Sequence, residues 1–321
     1  MRTRLTELLG IEHPVMLAGM GGVSYSALAA AVSAAGGFGC LGASTMGNDM
    51  MVEEMAAVRV ATDKPFGVDL LTAMPGGLTD QVNLVIEGGA SAFVAGLGVP
   101  TEVVDLCHRH DLIVVSMCGK VEHAVRAVEA KCDLVVAQGT EAGGHTGQVA
   151  SLPLVPQIVD AVGDRVPVVA AGGIFDGRGL AAALALGADG IWVGTRFIAT
   201  PEARGVLGYK EKLLSSREDQ TTVSRAYSGK TMRVVRNSYT DYYDTHPAEL
   251  KKFPEQMSVS FTAGTLHLGG DSLTEGVDVD RECYPAGQGV GAITELLPAA
   301  ELVRRFISEA EAALDRLSAV R

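Results

Sequence analysis

A glycine-rich segment with a single histidine is the part of the sequence best suited to do chemistry. It reads VVAQGTEAGGHTG over residues 135–147: small apolar residues run to Gln138, and the loop after them carries Gly143, Gly144 and His145. An imidazole titrates near neutral pH and can therefore accept or donate a proton during a reaction. Glycines allow the backbone to approach a ligand closely. The segment predicts a flat or phosphorylated ligand with His145 directed at it.

Two further glycine turns have the pattern of a phosphate site. The stretch VVAAGGIFDGRG ends a predicted strand at Gly172 and Gly173 and then opens a helix, and GADGIWVGTRF ends the next strand at Gly194 and Thr195. In (β/α)8 barrels the loops after strands seven and eight frequently bind phosphate. A helix N-terminus favours the negative charge, and Thr195 adds a hydroxyl donor. The alternative is two tight turns without a ligand, but their position after consecutive strands favours phosphate.

Three other stretches allow two interpretations each. Met20 and Gly21, in GMGGVS after the first strand, could face a flat ring or belong to an ordinary turn. Lys120, just past the fifth strand, is either a counter-charge for the ligand or a solvated helix start. Residues 37–42, GFGCLG, match GxGxxG but follow a helix and run into a strand. The dinucleotide fingerprint requires the opposite order, so we interpret this match as a helix end packed against a strand.

The remaining histidines and the cysteines indicate neither a metal site nor disulfide bonds. The histidines outside the glycine loop fall on outer helical faces, before the first strand, or beyond the last one: His108, His110, His123, His13, His246 and His267. None forms an HxxxH pair or a His/Asp cluster typical of a metal site. The five cysteines are widely spaced and lack a CxxC pair, so we expect small buried side chains.

The elements that must position these residues alternate strictly between strand and helix. Eight Val/Ile-rich runs are typical of parallel strands buried on both faces; they span 14–18, 37–42, 65–70, 91–96, 112–117, 133–138, 166–172 and 189–194. Helical patterns lie between them at 24–35, 48–61, 78–88, 100–109, 120–130, 153–162 and 177–187. This α/β alternation fits a closed (β/α)8 barrel or a doubly wound sheet, and its regularity favours the barrel.

The alternation stops after the eighth strand. Residues 200–285 mix helical and polar patterns, and we predict that they form an inserted lid or substrate subdomain. Residues 1–199 and 286–321 then form the barrel, closed by a long amphipathic helix at 292–317.

Composition excludes several partners for the 321-residue chain. Its net charge of −12, without a basic cluster, disfavours nucleic acid. No apolar run approaches the ~20 residues that span a bilayer, and the N-terminus lacks the features of a secretion signal. We therefore expect a cytoplasmic protein acting on a small-molecule substrate. A homodimer through residues 200–285 is a further expectation, without an interface pattern to support it.

Together the motifs resemble the nitronate monooxygenase family, the former 2-nitropropane dioxygenases, with its relatives, the FMN-dependent enoyl-acyl-carrier-protein reductases of the FabK type. The matching stretches run in order along the chain: LTELLGIEHPVMLAGMGGVS, DKPFGVDL, QGTEAGGHTG, VPVVAAGGIFDGRG, GADGIWVGTRF and AGQGVG. The resemblance implies a (β/α)8 barrel that binds FMN without a covalent bond. It also implies that His145 is the catalytic base or positions the substrate.

The same resemblance assigns contacts to the cofactor. The turns at Gly172-Gly173 and Gly194-Thr195 would hold the FMN phosphate. The remaining contacts would come from Met20, Gly21, Lys120, Gln138, Gly143, Gly144 and, in the AGQGVG motif, Gln288. One position departs from the family, which commonly has an asparagine where this chain has Asp69. An ionised carboxylate cannot donate a hydrogen bond to the flavin, so Asp69 is protonated, contacts another group, or lowers the flavin potential.

Three functions follow from these residues. The sequence favours oxidation of alkyl nitronates with O2 to a carbonyl compound and nitrite. The alternative is an NAD(P)H-dependent reductase of enoyl thioesters or quinones, in which Arg233 and Arg236 meet a phosphate or else face solvent. A flavin-binding protein without turnover has only Asp69 in its support.

Overall fold

Eight parallel strands form the central sheet of the computed structural model, which describes residues 1–72 and 77–320. With strands numbered in chain order, these are β1 (Val15–Leu17), β2 (Gly39–Gly42), β3 (Phe66–Leu71), β4 (Ala92–Gly96), β5 (Ile113–Cys118), β6 (Leu134–Gln138), β8 (Val168–Ala171) and β9 (Gly190–Val193). The hydrogen-bonded order is β1-β9-β8-β6-β5-β4-β3-β2. Phe38 bonds to the backbone of Val15 and Leu17 at 2.9 Å and brings β2 back to β1. The predicted (β/α)8 barrel and its eight strands are confirmed.

The strand sequences are apolar on both faces because each face packs against a separate core. Alternate side chains point to opposite sides of a strand, so Met16 and Val136 pack inside the barrel while Val15 and Val135 pack outside it. Helix α1 (Arg4–Leu9) adds buried leucines to the inner core. Since it packs where β9 begins, with the Thr3 hydroxyl donating to the Asp189 carbonyl at 2.7 Å, the N-terminal end of the barrel is closed.

The outer helices follow the predicted order. They are α2 (Ser26–Ala34), α3 (Asn48–Ala61), α4 (Leu78–Glu87), α5 (Val104–Arg109), α6 (Val121–Glu129), α7 (Ser151–Val162), α8 (Gly177–Ala185), the short α9 (Thr195–Ile198) and α13 (Ala299–Ser318). The closing helix begins at Ala299 instead of the predicted 292. Pro298 is its N-cap and disfavours helical backbone at the residue before it, and residues 288–292 form a 3-10 turn instead.

Residues 200–285 contain α10 (Tyr209–Ser215), β10 (Thr221–Ser224), β11 (Met232–Val235), α11 (Ser238–Thr245) and α12 (Glu255–Thr262). Strand β11 pairs antiparallel with β10 on one side and, on the other, with β7 (Gly144–His145), a strand within the loop after β6. A small core that includes Tyr227, Val234 and Tyr239 holds this region together. Its role as a separate lid, with boundaries at 199/200 and 285/286, stays a prediction.

Candidate active site

A cavity of about 1130 Å³ opens at the C-terminal ends of the barrel strands. This is the end opposite α1 and the end at which (β/α)8 enzymes carry their active sites. The upper layer of the inner core, including Ala171 and Trp192, forms its floor. Apolar side chains from residues 200–285 line it as well: Val206, Tyr209, Met232, Phe253, Met257, Leu266 and Leu268.

His145 lies in the cavity wall and is held in place by residues 200–285, called the insertion below. As part of β7 it pairs with Met232 of β11, and the Gln138 amide donates to its carbonyl oxygen at 3.1 Å. The imidazole Nε2 lies 3.0 Å from Ser228 Oγ. Burial lowers the pKa of His145 to about 4, and the nearby charge of Lys230 contributes. The imidazole is therefore neutral at pH 7.

Two of the glycines predicted to bind phosphate have backbone conformations that disfavour a side chain. Gly172 and Gly173 have φ of +104° and +73°, in the left-handed region that favours glycine. A Cβ on Gly172 would lie 2.8 Å from Ser151 Oγ. At the end of β9, the Thr195 hydroxyl oxygen accepts a hydrogen bond of 2.9 Å from the Gly287 N–H. The AGQGVG motif therefore packs against this turn.

Asp69 occupies the wall at the end of β3 between two glycines. A Cβ on Gly19 would lie 2.2 Å from Asp69 Cβ, and one on Gly96 would lie 2.9 Å from its Oδ1. Burial raises the pKa of the Asp69 carboxyl well above its usual range, and no hydrogen bond from a described residue counteracts that rise. The carboxyl group is thus available to a ligand.

Most of the predicted site residues line this one cavity. They are Met20, Gly21, Gln138, Gly143, Gly144, His145, Gly172, Gly173, Gly194 and Thr195. Lys120 and Gln288 do not line it. Lys120 is exposed at the N-cap of α6, and Gln288 is exposed at the start of the 3-10 turn, where its backbone N–H bonds to the Glu141 carbonyl at 2.9 Å.

The two arginines considered for a phosphate lie elsewhere. Arg233 is buried, and its guanidinium donates to the Thr140 carbonyl at 2.9 Å and to Thr221 Oγ1 at 3.2 Å. Arg236 faces solvent and forms an ion pair of 2.6 Å with Asp241. Neither side chain lines the cavity. Arg233 instead ties the loop after β6 to β10.

Sequence reasoning missed several polar groups that do line the cavity. His123 was assigned to an outer helical face, but α6 begins directly beside the cavity rim. Lys230 and His267 come from the insertion, whose fold no local pattern predicted. His267 donates its backbone N–H and directs Nδ1 to the buried carboxylate of Glu282, at 3.0 and 2.7 Å. Of these groups, only His123 had a signal in the sequence. It lies in the first turn of the helix that directly follows the fifth strand, close to the cavity end of the barrel.

The cavity combines a large volume with glycine turns that could accept a phosphate group. Glycine turns at two adjacent strand ends provide backbone N–H groups without side chains in the way. Ligand pockets typically enclose about 300–1,000 Å³, and this cavity is larger. Within residues 1–72 and 77–320, no group of three or more His, Cys, Asp or Glu side chains is placed to hold a metal ion. The same ranges contain no helix long and apolar enough to span a membrane.

Comparisons with known proteins agree with this geometry. Residues 2–80 and 73–309 match the family model described as nitronate monooxygenase. The chain is 39% identical over 242 residues to the (3aS,4S,5R,7aS)-5-hydroxy-7a-methyl-1-oxo-octahydro-1H-indene-4-carboxyl-CoA dehydrogenase of Mycobacterium tuberculosis, covering 75% of this chain and 68% of that protein. FabK from Thermotoga maritima superposes with a TM-score of 0.88 at 34% identity, covering all of both chains. Nitroalkane oxidase from Streptomyces ansochromogenes superposes with a TM-score of 0.83 at 29% sequence identity, covering 98% of this chain and all of that one.

Proposed function

Because the chain belongs to the nitronate monooxygenase family of oxidoreductases, we propose that it is an FMN-dependent enzyme that reduces an enoyl thioester with NAD(P)H. The sequence motifs alone favour nitronate oxidation and leave this reduction as the alternative. The proposal includes a cytoplasmic location, where reduced nicotinamide cofactors are available.

The size and lining of the cavity carry this proposal. Its volume of about 1130 Å³ exceeds what one ligand usually occupies. Four apolar side chains from the insertion, Phe253, Met257, Leu266 and Leu268, face the space beyond the barrel floor. Each buried methylene contributes about 0.8 kcal/mol, so an acyl chain gains far more from this wall than a small nitroalkane does. The CoA thioester named for the Mycobacterium tuberculosis relative supports the same substrate class.

The chain's own residues fit the cofactor at the barrel mouth. Gly172 and Gly173, with Gly194 and Thr195, would hold the FMN phosphate, and Met20 lies where the ring would pack. When bound, FMN supplies the redox chemistry that no side chain provides.

His145 suits the polarisation of a carbonyl better than the removal of a proton. A general base works best with a pKa near the operating pH, whereas the pKa of His145 is about 4. A neutral imidazole can instead donate a hydrogen bond to a carbonyl oxygen, as in another barrel enzyme, triosephosphate isomerase. Since Nε2 contacts Ser228 Oγ at 3.0 Å, Nδ1 is the nitrogen left for the substrate. This role requires the tautomer protonated at Nδ1, in which the Ser228 hydroxyl donates to Nε2 and not to the Lys230 carbonyl, 3.3 Å away.

Nitronate oxidation is the second candidate, and Lys230 favours it. Its ammonium group lines the cavity close enough to His145 to lower the pKa of that imidazole. A nitronate is already an anion and needs a positioning charge, not a base. Lys230 could supply that charge.

Half-reactions of the FMN-loaded protein, followed anaerobically, test the two candidates. We expect NADH or NADPH to bleach the flavin and an enoyl-CoA such as crotonyl-CoA to restore its colour. A His145→Ala variant should slow the second step by about 10²–10³-fold, whereas Arg316→Ala, an exposed change on α13, should not affect it. Bleaching by an alkyl nitronate but not by nicotinamide would select the second candidate. A protein that cannot be loaded with FMN would exclude both.

A further inference from the structure

Besides His145 and Arg196, three cationic or protonatable side chains line the described part of the cavity without an ion pair to an acid. His123 and Arg126 come from α6, and Lys230 comes from the loop between β10 and β11. Among the described residues, none of the three forms an ion pair with a carboxylate, although the chain carries a net charge of −12. Lys230 instead lies 4.3 Å above the ring of Phe253. The acids that line the described part of the cavity, Asp69 and Glu282, belong to other walls.

The backbone segments that carry the three side chains are neighbours in the cavity wall. A Cβ on Gly119, at the end of β5, would lie 3.5 Å from Gly147 Cα. The Thr146 N–H bonds to the Thr231 carbonyl at 3.3 Å. The backbone around 146–147 therefore connects the loop of Lys230 to the start of α6. His123 and Arg126 follow three residues apart, which places them on the same face of that helix.

Their mutual effects agree with a positive rim. The pKa of His123 is lowered by burial and then by Arg126 and Lys120, with Glu122 opposing. The pKa of His145 is lowered by burial and then by Lys230. Arg126 is exposed, so an anion can reach it from solvent. An anion bound here would offset the repulsion between these groups.

We propose that His123, Arg126 and Lys230 bind the phosphate groups of a second, nucleotide-bearing ligand. This subsite lies at the ends of β5 and β6, whereas the turns assigned to the FMN phosphate follow β8 and β9. The inference rests on the proposed function, which requires both NAD(P)H and a thioester. Each can carry an adenosine phosphate, NADPH at the ribose 2′ position and coenzyme A at the 3′ position. These three residues take the phosphate-binding role that the sequence suggested for Arg233 and Arg236, whose side chains do not line the cavity.

Calorimetric binding to the FMN-loaded protein tests the subsite without turnover. The probes are adenosine 2′,5′-bisphosphate for the nicotinamide source and adenosine 3′,5′-bisphosphate for the coenzyme A source. We expect one of them to bind, with an affinity that falls as salt increases. Arg126→Ala should weaken it about tenfold or more, because charged contacts to phosphate are among the stronger hydrogen bonds. Arg316→Ala, at an exposed position outside the cavity, is the matched control.

Several results would overturn the inference. They are no binding of either probe, equal binding by wild type and Arg126→Ala, or an equal loss in Arg316→Ala. A weaker hold on FMN in Arg126→Ala would assign the cations to the cofactor and also overturn it. Arg126→Lys, which keeps the charge, should retain more affinity than Arg126→Ala and separates lost charge from damaged folding. Because no turnover is needed, failure of the thioester reaction leaves this result interpretable.

Discussion

The low pKa of His145 predicts a specific dependence of stability on pH. In the unfolded chain the imidazole titrates near 6.5, and in the folded protein near 4. The unfolded state therefore binds a proton first as the pH falls. The stabilisation from the neutral, buried imidazole is fully present above pH 6.5 and is lost progressively towards pH 4. The whole difference corresponds to roughly 3 kcal/mol, at about 1.4 kcal/mol per tenfold change in proton affinity.

The perturbation is His145→Asn, which removes the titrating imidazole and keeps a polar side chain. Urea unfolding of the apoprotein would be compared at pH 7.5 and pH 5.5. One pH unit below the unfolded pKa, the wild type should have lost about 1.4 kcal/mol of unfolding free energy that the variant does not lose. His13 and His123, whose pKa values are also lowered, remain in both proteins and cancel.

Lys230→Met serves as a second variant. Removing its charge should raise the pKa of His145 and reduce the loss on acidification, while burial keeps the pKa below 6.5. An equal pH dependence in wild type and His145→Asn would refute the reasoning. So would an NMR titration of the His145 ring with a midpoint near 6.5.

Three further predictions concern the walls of the cavity. Gly172→Ala should lower unfolding stability by about 1–3 kcal/mol and reduce bound flavin, because φ of +104° and Ser151 oppose a side chain. Gly47→Ala has open space around it but lies at the N-cap of α3, so it should cost less stability in thermal denaturation and leave flavin release unchanged. Asp69→Asn should stabilise the apoprotein more at pH 7.5 than at pH 4. Burial raises the pKa of the Asp69 carboxyl, so the wild-type protein loses unfolding free energy as the pH rises above the ordinary pKa of an aspartate. The same gain at both pH values in urea unfolding would contradict this. Glu282→Gln should lower the unfolding free energy by about 1–3 kcal/mol, because one of the two His267 nitrogens would then face an amide NH2 group in place of a carboxylate oxygen. Glu275→Gln, at an exposed position, should be neutral in the same denaturation assay.

Local patterns predicted the barrel and much of its site. Each strand is a short apolar run with both faces buried, and this property is visible within five or six residues, as in LVVAQ at Leu134–Gln138. Glycines with positive φ, such as Gly172, also indicate their role locally, because few other residues adopt that backbone. Consecutive strand ends meet at one end of a barrel, so the sequence also predicts that the turns at Gly172 and Gly194 lie together.

Orientation on a helix was beyond the sequence. Lys120 and His123 lie three residues apart at the start of α6, yet His123 faces the cavity and Lys120 faces solvent. Lys120 is the N-cap of α6 and has extended backbone, so it does not share the helical face of His123 and Arg126. Gln288 likewise matched a motif, yet its side chain is exposed, while the backbone of the neighbouring Gly287 bonds to Thr195.

The sequence by itself determined the barrel, the glycine turns and the position of His145 at the catalytic end. Only the tertiary structure decided which charges surround that imidazole. Met232 pairs with His145 across a long stretch of chain, and this pairing brings Ser228 and Lys230 to the ring. Contacts between residues so far apart depend on the packing of the whole insertion, which leaves no periodic pattern in the sequence. The protonation of His145, and therefore its chemistry, is a property of the folded chain.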